Sequence, residues 1–274
     1  MYKLAVIGNP IDHSLSPVVF DLFAKQFGLE LEYKKILAQD AKDFTLKVKE
    51  FFDSGGHALN ITSPFKNLAY QEAGLRTSRS NFCQASNFIQ KKEEILVADT
   101  TDGIGLINDI KLNKQYSLKG KKILIIGSGY VLDSILLDII VENPIQIDIL
   151  ARNSDRIDYL AHKFATGTFK TNIKYDVVFN STPNTPDNLL FTSIKNLNDG
   201  AICYDLAYAK SSLFLEQMQR INSQIECYNG LGMLVMQAQV AFTELFKQMP
   251  DTTAILSQLS NLGHFCTSNC HPRA

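Results

Sequence analysis

Lys122-Ile123-Leu124-Ile125-Ile126-Gly127-Ser128-Gly129 is an unbroken apolar run that ends in a paired-glycine turn. A strand apolar on both faces belongs in a parallel sheet covered by helices on both sides. The apolar helix Tyr130 to Val141 follows at once, so strand, Gly-x-Gly turn and helix stand in the order of a dinucleotide-binding unit. The fingerprint is incomplete, because Leu132 fills the third glycine position and Tyr130 stands in the first helical turn. A tight strand-to-helix turn without a ligand is the plainer reading of the same residues.

The next strand, Ile145 to Leu150, ends in Ala151-Arg152. An NAD site wants an acid at this strand end to hold the ribose hydroxyls, whereas an arginine suits the 2′-phosphate of NADP. Arg156 lies one helical turn later and can share that phosphate. The alternative is that both arginines are solvated residues of a helix start. Downstream, a helix from Asn153 to Phe164, strands at Asp176–Asn180 and Ala201–Leu206, a helix from Ser212 to Arg220 and a strand at Ile225–Tyr228 complete the pattern. Apolar strands separated by helices predict a parallel, doubly wound sheet.

The first half also alternates. Lys3–Ile7 reads as a strand, and Ser16-Pro17 as a cap-plus-proline helix start leading into Val19, Phe20, Phe23 and Phe27. A strand at Leu31–Ile36 precedes a helix capped by Asp40, with Phe44, Val48, Phe51 and Phe52 inward. Ala58–Ile61 is a buried strand, after which Ser63 is expected as N-cap and Pro64 as the first helical residue. Ile95–Ala98 is another strand, leading through Asp102-Gly103 into a helix on Ile104, Ile107 and Ile110. After the turn Asn229–Gly232, a long helix from Met233 to Met249 is expected to stop at Pro250.

Lys and Arg (27) nearly balance Asp and Glu (28), so no net field attracts nucleic acid or anionic lipid, and any anion site must be local. No apolar run approaches the ~20 residues of a membrane span. Met1 leads into Leu4-Ala5-Val6-Ile7 without a basic region or cleavage site, so no secretory signal is expected. The 5 cysteines are scattered, the usage of a reducing compartment, and the protein reads as cytoplasmic. His264, Cys266, Cys270 and His271 lack a second ligand pair, so the C-terminal tail reads as a flexible end and no metal site is expected.

Four places carry candidate chemistry. Lys66 falls in a first helical turn, where an ammonium is poorly placed against the helix dipole and gives up its proton more easily. That makes it a candidate acid/base, or else a surface lysine in an awkward position. Asp102 is either the cap of its helix or a carboxylate partner for Lys66, since both follow strand ends. Ser14 and Ser16 flank a helix start and can hold a carboxylate, or merely cap that helix. Gln237 interrupts the apolar run Met233–Met236, reaching a ligand or lying on a solvated face.

Taken together, four strings resemble the shikimate dehydrogenase family, with its quinate/shikimate relatives. They are Gly8-Asn9-Pro10-Ile11-x-His13-Ser14-x-Ser16-Pro17, Asn60-Ile61-Thr62-x-Pro64-Phe65-Lys66, Thr101-Asp102-Gly103-x-Gly105 and Gly230-Leu231-Gly232-Met233-Leu234-x-x-Gln237. The resemblance implies an α/β protein of two domains. An N-terminal substrate domain (1–103), completed by C-terminal helices (236–274), would hold an inserted Rossmann-like doubly wound nucleotide domain (104–235). It implies reduction of 3-dehydroshikimate to shikimate with NADPH, on the route to chorismate and the aromatic amino acids, by a monomer or homodimer. Lys66 and Asp102 would form the acid/base pair. Ser14 and Ser16 would hold the substrate carboxylate, and Thr62, Asn87, Asp102, Tyr208 and Gln237 the rest of the substrate. Gly127, Ser128, Gly129, Arg152, Asn153, Arg156 and Gly230 would bind NADP. The departures lie on the cofactor side: Tyr130 is expected to crowd the pyrophosphate turn, and Asp133, where the family has a basic residue, to repel phosphate. They leave two alternatives, a weakly active or non-catalytic paralogue that binds shikimate-like ligands and a quinate/shikimate dehydrogenase preferring NAD.

Overall fold

The computed structural model describes residues 1–183, 185, 190–208 and 211–260, and the histidines and cysteines of the tail lie outside these. The chain builds two six-stranded sheets. The first contains β1 (Tyr2–Gly8), β2 (Leu31–Leu37), β3 (Ala58–Ile61), β4 (Leu75–Arg76), β5 (Phe88–Lys92) and β6 (Ile95–Asp99), in the order β2-β1-β3-β5-β6-β4. β5 runs antiparallel to β3 and β6, so this sheet is mixed. The sequence pattern does not announce β5: its outer half is Gln90-Lys91-Lys92, which turns at Glu93 with φ +54° into β6.

The second sheet contains β7 (Lys122–Ile126), β8 (Gln146–Leu150), β9 (Gly167–Thr168), β10 (Tyr175–Asn180), β11 (Leu197–Asp205) and β12 (Glu226–Asn229). All its pairs are parallel, in the order β12-β11-β10-β7-β8-β9. The expected doubly wound sheet is therefore present. The chain leaves β7 towards β8 and returns on the other side at β10, which puts the switch point of the sheet at Gly127.

The helices are α1 (Ser16–Gln26), α2 (Ala41–Asp53), α3 (Lys66–Glu72), α4 (Ser78–Cys83), α5 (Asp102–Asn108, continued by a π turn at Asp109–Asn113), α6 (Val131–Val141), α7 (Ser154–Phe164), α8 (Leu213–Ile221), α9 (Leu231–Phe246) and α10 (Thr253–Leu259). Helix α2 is capped by Asp40, whose Oδ1 accepts from Asp43 N at 2.9 Å, and it buries Phe44, Val48, Phe51 and Phe52 on one face of the first sheet. On the opposite face α1, α9 and α10 pack together over Leu4, Ala58 and Phe88. Phe242 of α9 is fully buried there, its ring centroid 5.5–6.0 Å from those of Phe20, Phe23 and Phe27. The C-terminal helices thus complete the core of the N-terminal sheet. Burying one such aromatic contributes roughly 1.5–3 kcal/mol, enough to hold a distant helix in place.

Three helix boundaries differ from expectation. Ser16 lies inside α1, whose N-cap position is Leu15, so its hydroxyl is free of the capping role. Ser63 and Pro64 belong to a turn closed by Phe65 N donating to Thr62 O at 3.2 Å, and α3 starts at Lys66. Burial of Phe65, stacked 4.9 Å from Phe44, fixes that later start. Helix α9 stops at Phe246, where Lys247 takes a left-handed conformation (φ +57°) and donates its N–H to Thr243 O, so Pro250 is not what ends it.

Helices α5, α6 and α9 form the seam between the two sheets. Asp138 of α6 faces it, and burial pushes its carboxyl up to about 6, opposed by Arg79 and reinforced by Asp99 and Glu142. A carboxyl with a raised pKa in the folded state binds more protons there than in the unfolded chain. Its ionisation costs stability above about pH 6 and costs nothing below the ordinary value of 3.8. Asp138→Asn is therefore expected to raise Tm at pH 7.5, with the gain vanishing below pH ~4. Thermal melts of both proteins across that range check it, and a pH-independent gain would contradict it. Among the described residues no helix is long and apolar enough to cross a membrane, and no group of His, Cys, Asp and Glu side chains is arranged to hold a metal ion.

Candidate active site

A cavity of about 230 Å³ opens where the carboxyl ends of the two sheets face each other. Ser14, Ser16, Asn60, Thr62, Lys66, Asn87, Asp102 and, from α9, Gln237 line it on the first sheet's side; Val131, Ser181, Leu206, Tyr208, Gly230 and Met233 complete the lining. Every expected substrate-side residue reaches this one space.

Lys66 is the first residue of α3 and Asp102 the first of α5. Asp102 does not cap its helix; Thr101 occupies that position, and the carboxylate is left to turn inward. Lys66 Nζ donates to Asp102 Oδ2 at 2.7 Å, with the two side chains only 15% and 9% exposed. Asn87 Nδ2 donates to Asp102 Oδ1 at 3.0 Å and to Gln237 Oε1 at 3.1 Å, while Asn87 Oδ1 accepts from Thr101 N at 2.8 Å. Gln237 Nε2 donates in turn to Leu234 O at 3.1 Å, so Gln237 is a buried link and not a solvated residue. The ion pair is thereby tied to three separate elements. A charge pair at low exposure needs such extra hydrogen bonds, because desolvation otherwise cancels most of its attraction. An ammonium held on a carboxylate at a cavity wall is a proton donor to an oxygen placed there, and a proton acceptor in reverse.

The opposite end of the cavity is lined with hydroxyls. Ser14 Oγ donates to Ser16 Oγ at 3.3 Å, and both are nearly buried. Tyr208 is hydrogen-bonded to the Ser14 hydroxyl and to the Leu15 backbone; burial pushes its phenol up, and these bonds offset part of that. His13 stands exposed at the rim. Among the described residues the side chains beside Ser14, Ser16 and Tyr208 at this end are neutral, which suits a carboxylate bound by neutral donors.

On the nucleotide side, Gly127 has φ +118°, and a Cβ there would lie 2.2 Å from Ser181 Oγ, so only glycine fits the turn. Gly127 N donates to Leu150 O at 2.9 Å. The amides of Ser128, Gly129 and Tyr130 have no hydrogen-bond partner among the described residues and open the N-terminus of α6. Tyr130 is 54% exposed, and its ring centre lies 5.7 Å from the Arg156 guanidinium. Asp133 is not where repulsion was expected. It is buried beneath the turn, ion-paired with Arg156 and, at 3.0 Å, with Lys163, and accepts from Tyr159 OH at 3.3 Å. Two cations neutralise the one carboxylate.

Arg156 also donates through Nε to Ser128 O at 3.1 Å and stacks 4.5 Å from the Tyr159 ring centre. Asn153 caps α7, its Oδ1 accepting from Arg156 N at 3.0 Å. Arg152 is exposed and has no hydrogen bond or ion pair among the described residues. Unpartnered amides at a helix start beside an unpaired guanidinium match the phosphate-rich chemistry of a dinucleotide.

Sequence reasoning leaves several residues at and around the cavity without a role. Asn60 is one: it is the only polar residue in the buried strand Ala58–Ile61, which is itself the signal that it must have a partner. Thr101 Oγ1 donates to Gln237 Oε1 at 3.1 Å and is fully buried, although it stands next to Asp102 in a recognised string. Ser134 is a third, bonding Thr100 Oγ1 and Gly103 N at 3.0 Å each across the seam, and nothing in an apolar helix marks it.

Residues 6–89 match the family described as shikimate dehydrogenase substrate binding domain. The chain is 39% identical over 263 residues to shikimate dehydrogenase (NADP(+)) of Legionella pneumophila, covering 94% of this chain and 98% of that protein. It is 38% identical over 267 residues to the enzyme of the same name from Vesicomyosocius okutanii, covering 94% and 99%. Among solved structures, an Ael1 enzyme from Pseudomonas putida superposes with a TM-score of 0.82 at 30% identity, covering 94% of this chain and 98% of that one. Shikimate 5-dehydrogenase from Thermus thermophilus, in complex with NADP(H) and shikimate, shares the fold with a TM-score of 0.84 at 21% identity, covering 96% and 100%. Similarity of this extent runs through both sheets and the cavity between them, and the chain belongs to the shikimate dehydrogenase family.

Proposed function

We propose that the protein is an NADP-dependent oxidoreductase that interconverts 3-dehydroshikimate and shikimate on the route to chorismate, with Lys66 and Asp102 as its acid/base pair. The observation that carries this is the Lys66–Asp102 ion pair at 2.7 Å in the wall of a cavity shared with the nucleotide sheet. The names of the curated relatives support the substrate and cofactor.

Ser14 and Ser16 bind the substrate carboxylate, with Tyr208 beside them. Thr62, Asn87, Asp102 and Gln237 hold the ring hydroxyls, and the bonds among Asn87, Asp102 and Gln237 set the spacing they present. This fixes the carbonyl oxygen against Lys66, and such fixation removes much of the entropic barrier. Lys66 donates its proton to that oxygen during reduction and recovers it from the hydroxyl during oxidation. Asp102 keeps the ammonium aimed at the reacting atom throughout. NADPH, when bound, supplies the hydride that the carbonyl carbon receives. Gly127, Ser128, Gly129 and Gly230 bring backbone to the dinucleotide, Arg152 and Asn153 take the 2′-phosphate end, and Arg156 is a second cation there. If Arg156 moves to the phosphate, Lys163 still neutralises Asp133.

Residues 1–103 with 236–274 form the substrate domain and 104–235 the NADP domain. Both boundaries fall inside seam helices, α5 and α9, so closing one domain on the other moves elements that carry Asp102 and Gln237. The unpaired thiols of Cys83, Cys203 and Cys227 support a cytoplasmic setting.

Initial rates with shikimate or quinate, each with NADP⁺ or NAD⁺, test the assignment. Shikimate with NADP⁺ is expected to give a kcat/KM at least about tenfold above every other pair. Quinate with NAD⁺ as the better pair would contradict it.

A further inference from the structure

Tyr33 of β2 lies behind the hydroxyl end of the cavity and is absent from its lining. It pairs in register with Leu4 of β1, which pairs with Ala58 of β3, so its side chain sits on the same sheet face as Asn60. Its ring packs 5.2 Å from that of Phe20 on α1, and its hydroxyl reaches over β1 to donate to Asn60 Oδ1 at 2.6 Å. The same phenol oxygen is hydrogen-bonded to the Ser16 hydroxyl, and burial pushes the phenol well above its ordinary pKa, so it remains a neutral O–H.

We propose that Tyr33 is a positioning residue that sets the polarity of the carboxylate-binding end of the cavity. With Oδ1 engaged by Tyr33, Asn60 presents its Nδ2 hydrogens to the cavity, and Nδ2 has no partner among the described residues. An amide is nearly symmetric in shape, so only its hydrogen bonds decide which end faces a ligand. Tyr33 removes the choice. It also anchors Ser16, which Ser14 meets at 3.3 Å, so one phenol aligns three polar residues of the wall. The result is a fixed hydrogen-bond donor, Asn60 Nδ2, at this wall, which favours an anionic carboxylate over a neutral ester or alcohol in the same place. Without the phenol, Asn60 is free to turn its oxygen inward, and an amide oxygen repels a carboxylate.

The proposal rests on shikimate being the ligand, and its test separates the two ideas. The full chain and Tyr33→Phe, which keeps the ring packed against Phe20, are titrated calorimetrically with shikimate and with its methyl ester. Wild type is expected to favour shikimate, and Tyr33→Phe to weaken shikimate binding about tenfold or more while changing ester affinity by less than about threefold. At saturating shikimate, kcat stays within about threefold and KM for NADP⁺ within about twofold of wild type, a split that general loosening of the fold does not produce. Unchanged shikimate affinity in Tyr33→Phe overturns the positioning role while leaving the enzymatic reading intact. Equal weakening for shikimate and ester overturns the polarity argument. A wild type that binds neither compound overturns both readings.

Discussion

Lys66→Ala is expected to lower kcat by about 10²- to 10⁴-fold while the Kd for shikimate changes by less than about threefold, the range in which a positioned general acid acts. The reason for the split is geometric. Lys66 is tied to Asp102 at 2.7 Å, while in the proposed complex the substrate is gripped by Ser14, Ser16, Thr62, Asn87 and Gln237, which line the same cavity. Removing the ammonium deletes the proton donor and leaves that grip in place. Asp102 keeps its second hydrogen bond, from Asn87 Nδ2 at 3.0 Å, and faces a cavity that water can enter, so its uncompensated charge is tolerated better than in a closed core. Rapid-quench turnover together with calorimetry reads both quantities on one preparation. Unaltered turnover in Lys66→Ala would remove Lys66 from the mechanism.

The second large effect belongs to the cofactor. Arg152→Ala is expected to raise KM for NADP⁺ by about tenfold or more, the cost of losing a charge-assisted contact, and to leave KM for NAD⁺ within about twofold. Arg152 is the cation to change because nothing else in the described structure occupies it, whereas Arg156 has first to leave Asp133 and Ser128 O to reach the phosphate. Its removal should therefore cost phosphate recognition alone. Steady-state kinetics with both nucleotides decide the matter: equal losses for NADP⁺ and NAD⁺ would refute the 2′-phosphate assignment.

How much of this was legible beforehand depends on whether the signal was local. Strand β7 and helix α6 were readable because burial on both faces leaves an unbroken apolar run, and α2 because its four inward residues repeat at helical spacing. The meeting of Lys66 with Asp102 was not readable from spacing. Those residues are brought together by the mixed pairing of β3, β5 and β6, and β5 itself was hidden by its lysines. Family resemblance supplied that register instead. The surroundings of Asp133 are hidden from the sequence for a related reason. A chain of letters shows a carboxylate beside a phosphate turn, but its side chain leaves the turn for the underside of α6, where α7 brings two cations to it. Tyr33 carried no signal at all, since a tyrosine in a half-buried strand is ordinary. At Ser16 and Ser63 a serine before proline mimics a cap, while the packing of Phe65 and the inward turn of the Ser16 hydroxyl put the N-cap positions at Leu15 and Phe65.

Turnover and binding measured side by side on one sample ask whether the cavity and the Gly127 turn work together. Purified protein is mixed with shikimate and NADP⁺, reduced nicotinamide is followed spectroscopically, and shikimate affinity is measured by calorimetry. Reduction of NADP⁺ at a rate proportional to enzyme, lowered at least about 100-fold by Lys66→Ala, is the expected result. Shikimate that binds while neither NADP⁺ nor NAD⁺ is reduced would contradict the assignment of this protein as an active dehydrogenase.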